Sequence, residues 1–151
     1  MKLSALYQIF LDCQSVTTDS RNCPDGSLFI ASKGESFNGN AFAKLALDSG
    51  CAFAIIDEAE YAVEGDKRYI LVDNCLQTMQ QLANYHRRQL GTRVIGITGT
   101  NGKTTPKELI SSVLCQAHNV LYTLGNLNNH IGVPTTLLRL KPEHDLAVIE
   151  M

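Results

Sequence analysis

The residues best suited to chemistry lie in one short stretch, residues 98–105, which reads Thr-Gly-Thr-Asn-Gly-Lys-Thr-Thr. Gly99 and Gly102 allow the backbone to take positive φ and to approach a ligand closely. Lys103 supplies a mobile positive charge for the β- and γ-phosphates of a nucleotide, and Thr104 offers a hydroxyl oxygen to Mg²⁺. We therefore predict a nucleoside triphosphate site formed by Thr98, Gly99, Thr100, Asn101, Gly102, Lys103, Thr104 and Thr105.

The elements on either side of this stretch must hold it in place. Residues 94–97 are apolar and mostly β-branched, which predicts a strand, and a helix should follow the loop. The free N–H groups and the dipole of a helix start favour a bound phosphate. The plain pattern G-x-x-x-x-G-K-[ST] would need glycine at position 97, which is Ile97. The expected inner face of the helix comprises Leu109, Ile110, Val113, Leu114 and Ala117.

Glu150 is the second informative residue, because it follows the last predicted strand, residues 146–149. Ligands collect at the carboxyl edge of a parallel sheet, and nucleotide-binding sheets place a Mg²⁺-directed carboxylate there. We predict that Lys103 and Glu150 are catalytic and that Thr104 and Glu150 hold the metal. A glutamate that is merely a solvated surface charge is the alternative.

Two further loops have two interpretations each. Residues 125–132 contain three asparagines and His130, which suit either a sugar or peptide contact or a simple turn. Ser20 and Arg21, next to Asp19, suit a diphosphate or a helix cap equally. Three other histidines fit no ligand spacing and are expected at the surface or in packing. These are His86, His118 and His144.

Composition limits the partners. The 151 residues are 44% hydrophobic and have a formal net charge of −2. This charge, together with the absence of a cluster of lysines and arginines, argues against a surface for nucleic acid. No apolar run is long enough for membrane insertion. The five cysteines are widely spaced and include no CxxC pair, which favours reduced thiols in a cytoplasmic protein over a disulfide framework or a zinc site. Small anionic ligands are the expected partners.

Strands that alternate with helices along the chain predict an α/β fold. An amphipathic helix carrying Leu3, Leu6, Tyr7 and Phe10 comes first. Predicted strands follow at residues 15–18, 28–31, 52–56 and 69–72, with a loop at 33–39 and a helix ending near residue 50. A longer helix starts at residue 74, capped by Asp73 or Asn74, and stops at Gly91.

We place the domain boundary near this helix, giving domains 1–85 and 86–151. Three strands after the boundary are few for a nucleotide-binding sheet, so the second domain is expected to be truncated.

Several motifs resemble the Mur ligases. Residues 96–105 are similar to the ATP loop of that family, and residues 125–134 and the closing Glu150-Met151 match its pattern too. Residues 17–21, 28–31 and 33–34 are similar to its UDP-substrate domain. The resemblance implies a small α/β UDP-substrate domain followed by the start of a P-loop parallel-sheet ATPase domain.

The resemblance also implies an activity. It is ATP-dependent amide ligation in peptidoglycan precursor synthesis, with ATP and Mg²⁺ as cofactors. The expected substrates are UDP-N-acetylmuramoyl-tripeptide and D-alanyl-D-alanine, joined through an acyl phosphate by a monomeric enzyme. Carried over by residue, Asn126, Asn129 and His130 line the meeting point of ATP and substrate, and Ser20 and Arg21 face the UDP moiety.

The sequence departs from the family at several points. Asn40-Ala41 stands where His-Asp is common, and Pro106 replaces a threonine. The resemblance implies a longer ATPase domain and a third domain beyond these 151 residues, so the 151-residue chain alone is expected to be inactive. The alternatives are another Mur or folylpolyglutamate-type ligase, and a non-catalytic UDP-sugar-binding module.

Overall fold

A computed structural model describes residues 2–34 and 36–151. The chain folds into two units, Met1–Leu82 and Ala83–Met151. Each unit contains a parallel sheet with helices, which confirms the predicted α/β class. In the described part of the chain, no helix is long and apolar enough to cross a membrane.

The first unit is built on a four-stranded parallel sheet in the order β1-β2-β5-β6. Strand β2 lies inside this sheet, and its three side chains are fully buried. The apolar face predicted for the first helix is also buried, through Leu6, Tyr7 and Phe10. The elements are α1 (Leu3–Asp12), β1 (Val16–Thr17), β2 (Leu28–Ile30), β3 (Lys33–Gly34), β4 (Phe37–Asn38), α2 (Ala43–Asp48), β5 (Phe53–Ile56) and β6 (Tyr69–Leu71), with 3₁₀ helices at Gly39–Phe42 and Ala59–Tyr61.

The segment predicted as a loop at residues 33–39 is partly a hairpin instead. Strands β3 and β4 pair antiparallel, with Lys33 opposite Asn38. Gly39 then packs so closely on the chain that an added Cβ would collide with the backbone of Ser32. The Gly39 amide also donates to the Ser32 carbonyl oxygen at 2.8 Å, and sequence periodicity does not reveal this close approach. Glu35, which the prediction included, lies outside the described residues.

Helix α3 (Cys75–Leu90) begins in the first unit and ends in the second. Its ends are those predicted from the sequence. Asn74 Oδ1 accepts a hydrogen bond from the Gln77 amide at 2.8 Å, the geometry of an N-cap. Gly91 has φ of 67° and terminates the helix in the left-handed conformation that glycine adopts readily.

The second unit contains a three-stranded parallel sheet in the order β7-β9-β8. The strand that comes last in sequence therefore lies in the middle. The core between this sheet and its helices is formed by Leu121, Leu140, Ala147 and Ile149. The elements are β7 (Arg93–Ile97), α4 (Thr104–Leu114), β8 (Val120–Tyr122), α5 (Gly132–Leu137) and β9 (Leu146–Glu150).

The predicted inner face of α4 is wrong. Leu109 and Val113 are 63% and 70% exposed, Ala117 is exposed, and Ile110 and Leu114 are only half-buried. The buried residues of the helix are Lys107 and Ser111, which are four positions apart and so share one face. On that face the Lys107 ammonium contacts the Gly125 carbonyl oxygen and lies near Glu150, whereas Ser111 Oγ has no hydrogen-bond partner among the described residues.

Candidate functional site

The glycine-rich loop lies between β7 and the first turn of α4, the context expected of a phosphate loop. Gly102 has φ of 73°, in the left-handed region, and an added Cβ there would meet nothing within 4 Å. The backbone conformation, and not a lack of space, therefore requires glycine at this position. Residues 98–105 thus come together at the amino end of an eleven-residue helix. The helix dipole and the amides of its first turn favour an anion at this position.

Lys103 immediately precedes the first residue of α4. Its ammonium donates a hydrogen bond to the Met151 carbonyl oxygen at 2.8 Å, and this contact is exposed to solvent. The side chain thus lies between the loop and the end of β9, where it can exchange this bond for a phosphate oxygen.

Glu150 is the last residue of β9 and is 1% exposed. It pairs in register with Ile97, the residue that leads into the loop, so the sheet itself brings the carboxylate beside the loop. Thr104 Oγ1 lies 3.4 Å from Glu150 Oε1, a long hydrogen bond. The structure therefore brings together Thr104 and Glu150, the two residues predicted to hold Mg²⁺.

The donor set of this pair fits a magnesium ion. Glu150 Oε2 is buried and has no hydrogen-bond partner among the described residues, so this carboxylate oxygen has unused acceptor capacity. A carboxylate and a hydroxyl are hard oxygen ligands of the kind that Mg²⁺ takes together with waters and phosphate oxygens. Within residues 2–34 and 36–151, no three His, Cys, Asp or Glu side chains gather into a metal-holding group.

Two residues at this site were missed by sequence reasoning. Asn128 Nδ2 donates to Glu150 Oε1 at 2.8 Å, so the asparagine that reaches the carboxylate is the one not singled out. Lys107 is fully buried with its ammonium 3.8 Å from Glu150 Oε2. The asparagine-rich composition of the loop was the one sequence signal for Asn128. Nothing pointed to the second, because a lysine in a helix is normally exposed.

The loop at residues 125–132 has a mixed character. Asn129 Oδ1 accepts hydrogen bonds from the amides of Ile131 (3.1 Å) and Gly132 (2.7 Å), which is the capping role of a turn. Asn126 and His130 are exposed. The loop is therefore a structured turn that presents these two side chains to solvent while Asn129 holds its end.

In the first unit, the predicted substrate residues follow β1. Ser20 is buried, whereas the Arg21 side chain is 87% exposed and pairs with Asp19 through two hydrogen bonds of 2.9 Å. These bonds to Arg21 lower the pKa of Asp19 to about 2. Arg21 is thus folded back on its neighbour, and an anionic ligand would have to compete with Asp19 for it.

A polar network missed by sequence reasoning lies after β2 and β5, at the same carboxyl edge as the β1 turn. The Lys33 ammonium contacts Asp57 Oδ1 at 2.8 Å and Glu58 Oε1 at 2.7 Å. Asn40, 1% exposed, donates to Asp57 Oδ1 at 2.8 Å and accepts from the Asp57 amide at 2.9 Å. Asn38 donates to Glu58 Oε2 at 2.8 Å.

The network sets the charge of Asp57. Burial opposes ionisation of this carboxyl, but hydrogen bonds from Lys33, from the Cys75 amide and from Asn40 outweigh it and lower its pKa. The Cys75 amide, 3.1 Å from Asp57 Oδ2, is the first of helix α3. Asp57 therefore joins the hairpin of β3 and β4 to the start of α3.

The three other histidines lie where the prediction put them. His86 is buried and its Nε2 lies 2.9 Å from the Leu140 carbonyl oxygen, so it is a packing residue whose N–H donates to the backbone. His118, half-exposed, lies 3.8 Å from Asp145. His144 Nδ1 accepts from the Lys141 amide at 2.9 Å.

Comparison with known proteins identifies the family of this chain. The model of the Mur ligase family, catalytic domain, matches residues 12–87, and that of the Mur ligase middle domain matches residues 97–151. Two curated relatives are the UDP-N-acetylmuramoyl-tripeptide–D-alanyl-D-alanine ligases of Bacillus subtilis and Escherichia coli. They are 44% and 43% identical to this chain over 90% and 91% of its length. The chain spans about 30% of the length of each.

Solved structures give the same result. A crystal structure of MurF from Acinetobacter baumannii superposes with a TM-score of 0.85 at 33% identity, over 99% of this chain and 35% of that one. MurF from Thermotoga maritima in complex with ADP has a TM-score of 0.80 at 30% identity, over 94% of this chain and 32% of that one. With a family model covering half of its residues and relatives over most of its length, the chain belongs to the Mur ligase family.

Proposed function

We propose that this chain is part of a ligase that joins D-alanyl-D-alanine to UDP-N-acetylmuramoyl-tripeptide with ATP, in cytoplasmic peptidoglycan precursor synthesis. The relatives that match most of its length carry that activity in their names. The observation that carries the proposal is the convergence of Lys103, Thr104 and Glu150 at one edge of the β7-β9-β8 sheet. Residues 1–85 would form the UDP-substrate domain and residues 86–151 the first part of the ATP-binding domain of a monomeric enzyme.

In the proposed reaction the terminal carboxylate of the tripeptide attacks the γ-phosphorus of ATP, ADP leaves, and an acyl phosphate forms. The amine of D-alanyl-D-alanine then attacks the acyl carbon, phosphate leaves, and the amine loses a proton as the amide forms. Negative charge spreads over the transferring phosphoryl group, so a positioned cation stabilises the transition state. Lys103 supplies that charge by exchanging its bond to the Met151 carbonyl for a phosphate oxygen.

Residues 98–105 would hold the phosphates, mainly through backbone amides at the start of α4. Thr104 and Glu150 would hold Mg²⁺, which when bound neutralises phosphate charge. The orphaned Glu150 Oε2 supports this assignment, because a buried carboxylate oxygen without a donor otherwise costs free energy.

The substrate side of the proposal rests on two loops. Ser20 and Arg21 would face the UDP moiety at the carboxyl edge of the first sheet, where ligands of parallel α/β sheets collect. Asn126 and His130, both exposed, would line the meeting point of ATP and substrate. Asn129 would act by holding the shape of this loop, since its side-chain oxygen already accepts two backbone hydrogen bonds.

Nucleotide binding is tested by calorimetric titration of the chain with ADP and Mg²⁺. We expect Lys103→Met to weaken binding at least about tenfold, the effect of losing a charge-assisted contact to phosphate. Lys141→Met, which removes an exposed lysine of the same unit, is the matched control and should bind like the parent. Equal affinity of all three proteins, or no binding by the parent, would refute the proposed site.

A second pair of measurements distinguishes a ligase from a non-catalytic UDP-sugar-binding module. We expect the 151-residue chain to bind the UDP-muramoyl tripeptide and ADP–Mg²⁺ but to form no amide product. Binding of the UDP-sugar without any binding of nucleotide would favour a non-catalytic module. Amide formation by this chain alone would contradict the expectation that it is inactive.

A further inference from the structure

Lys107 is a charged residue that neither the phosphate loop nor the proposed reaction uses. It is 0% exposed, whereas a lysine on a helix is normally directed to solvent. A buried ammonium is costly unless it is paired and hydrogen-bonded, so its partners indicate what it does.

The Lys107 ammonium links three parts of the second unit. It donates to the Gly125 carbonyl oxygen at 2.8 Å, at the start of the loop that carries Asn126, Asn128 and His130. It contacts Glu108 Oε1, on a side chain 56% exposed, at 2.8 Å, and it lies 3.8 Å from Glu150 Oε2.

The contact with Glu150 is electrostatic without being a hydrogen bond. At 3.8 Å the two opposite charges attract each other in the buried interior, yet Oε2 has no hydrogen-bond partner among the described residues. Oε1 is meanwhile held by Asn128 at 2.8 Å. The carboxylate is therefore charge-compensated from one side and still able to accept a ligand.

We infer that Lys107 is the internal counter-ion of Glu150, a positioning residue that keeps the buried carboxylate beside Thr104 when no divalent ion is bound. The same side chain fixes the start of the 125–132 loop to the helix that follows the phosphate loop. The part of this inference that concerns a divalent ion rests on the proposed function, whereas the pairing of the two buried charges does not.

The pairing is tested by a double-mutant cycle in the absence of nucleotide and with chelator present. Lys107→Met keeps the length of the side chain and removes its charge, leaving Glu150 buried and uncompensated. We expect its melting temperature to fall by about 6–20 °C, as for one partner removed from a buried ion pair in a chain of this size. In Lys107→Met/Glu150→Gln, which has neither charge, at least half of that loss should be recovered.

Two comparisons keep the outcome decisive. Glu108→Gln removes the exposed partner of Lys107 and should change the melting temperature by no more than about 1–2 °C. If Lys107→Met does not fold, folding of the double variant supports the counter-ion role and failure of both contradicts it. The cycle is completed by the single variant Glu150→Gln. If the loss of melting temperature in the double variant equals the sum of the losses in Lys107→Met and Glu150→Gln, Lys107 acts only through packing and its bond to Gly125, and the inference is overturned.

A metal readout separates this inference from the proposed function. Saturating Mg²⁺ without nucleotide should raise the melting temperature of Lys107→Met more than that of the parent, because the ion replaces the missing positive charge. The double variant should not respond. A rescued double variant together with no ADP–Mg²⁺ binding by the parent would uphold the counter-ion and refute the nucleotide site. Normal nucleotide binding by the parent, with no recovery of melting temperature in the double variant, would uphold the nucleotide site and refute the counter-ion.

Discussion

Ile97 and Glu150 are register partners at the ends of the parallel strands β7 and β9. One leads into the glycine-rich loop and the other carries the buried carboxylate, so a single pair in the sheet ladder brings the two halves of the site together. The ladder continues past this pair, since the Met151 amide donates to the Ile97 carbonyl oxygen at 2.9 Å. The position of Glu150 is therefore set by backbone pairing, and its orientation by the side chains around it.

The first prediction concerns Asn128, which orients Glu150 through a 2.8 Å hydrogen bond. Removing a residue that orients a metal ligand commonly costs 10–100-fold in metal affinity. We expect Asn128→Ala to weaken Mg²⁺-dependent binding of ADP about tenfold, measured by calorimetry at fixed nucleotide concentration. Gln116→Ala, at an exposed position after α4, is the control. Unchanged affinity in Asn128→Ala would show that the carboxylate needs no such support.

The second prediction concerns Gly132, the first residue of α5. A Cβ at this position would lie 2.5–2.8 Å from backbone atoms of Leu127, so the loop cannot keep its path. Gly132→Ala should lower the free energy of unfolding by about 1–3 kcal/mol, the usual cost of overpacking. Gly34→Ala, where the added Cβ would lie 3.9 Å from its nearest neighbour, should be tolerated in the same urea titration. Equal stability of the two variants would contradict the close approach.

The third prediction concerns Asn40, whose buried side chain bridges Asn38 and Asp57. Asn40→Ala removes the acceptor of the Asp57 amide and the donor to Asn38 Oδ1 and Asp57 Oδ1. We expect a loss of about 1–3 kcal/mol in the free energy of unfolding by urea. Asn84→Ala, at an exposed position on α3, should lose less than about 0.5 kcal/mol. A similar loss in both variants would mean that the network adds nothing to stability.

The fourth prediction is a pH dependence from His86. Burial lowers the pKa of this imidazole, against a smaller opposing effect of its hydrogen bond to Leu140. Between the lowered pKa of the folded state and the unfolded value near 6.5, the unfolded chain binds more protons, so stability rises with pH. The contribution of neutral His86 to the stability of the folded chain is complete above about pH 6.5. It is lost progressively as the pH falls through the pKa of the folded state.

This dependence is measured as the urea midpoint between about pH 7.5 and 5. His86→Phe removes the titrating group, so its midpoint should change less over that range than the parent's, even though the variant is less stable throughout. Asn84→Ala, at an exposed position on the same helix, removes no titrating group and should keep the parent's slope. Parallel curves for His86→Phe and the parent would exclude His86 as the source.

Local signals were sufficient for much of the fold. Helix α1 was predicted from apolar spacing, and Leu6, Tyr7 and Phe10 are buried as that spacing requires. Both ends of α3 were predicted because a cap at Asn74 and a stop at Gly91 depend on neighbouring residues alone. The glycine-rich loop was predicted for the same reason.

Features that depend on distant residues could not be predicted in this way. The inner face of α4 was predicted from its apolar residues, but the helix buries Lys107. Its partners Gly125 and Glu150 are distant in sequence, the nearer of them 18 positions away. Asn128 was overlooked because three asparagines in one loop look alike until the carboxylate is in place. The hairpin of β3 and β4 is followed by the close contact between Gly39 and Ser32, and neither feature produces a periodic pattern in the sequence.

The middle position of β9 has a consequence for synthesis of the chain. Both β7 and β8 pair with β9, and the β7–β9 register joins Arg93 to Leu146, so this sheet is closed only by contacts of long sequence separation. Such contacts form late because a long segment must first be brought to closure. On the ribosome, the phosphate loop would therefore lack its carboxylate partner until residues 146–150 have left the exit tunnel.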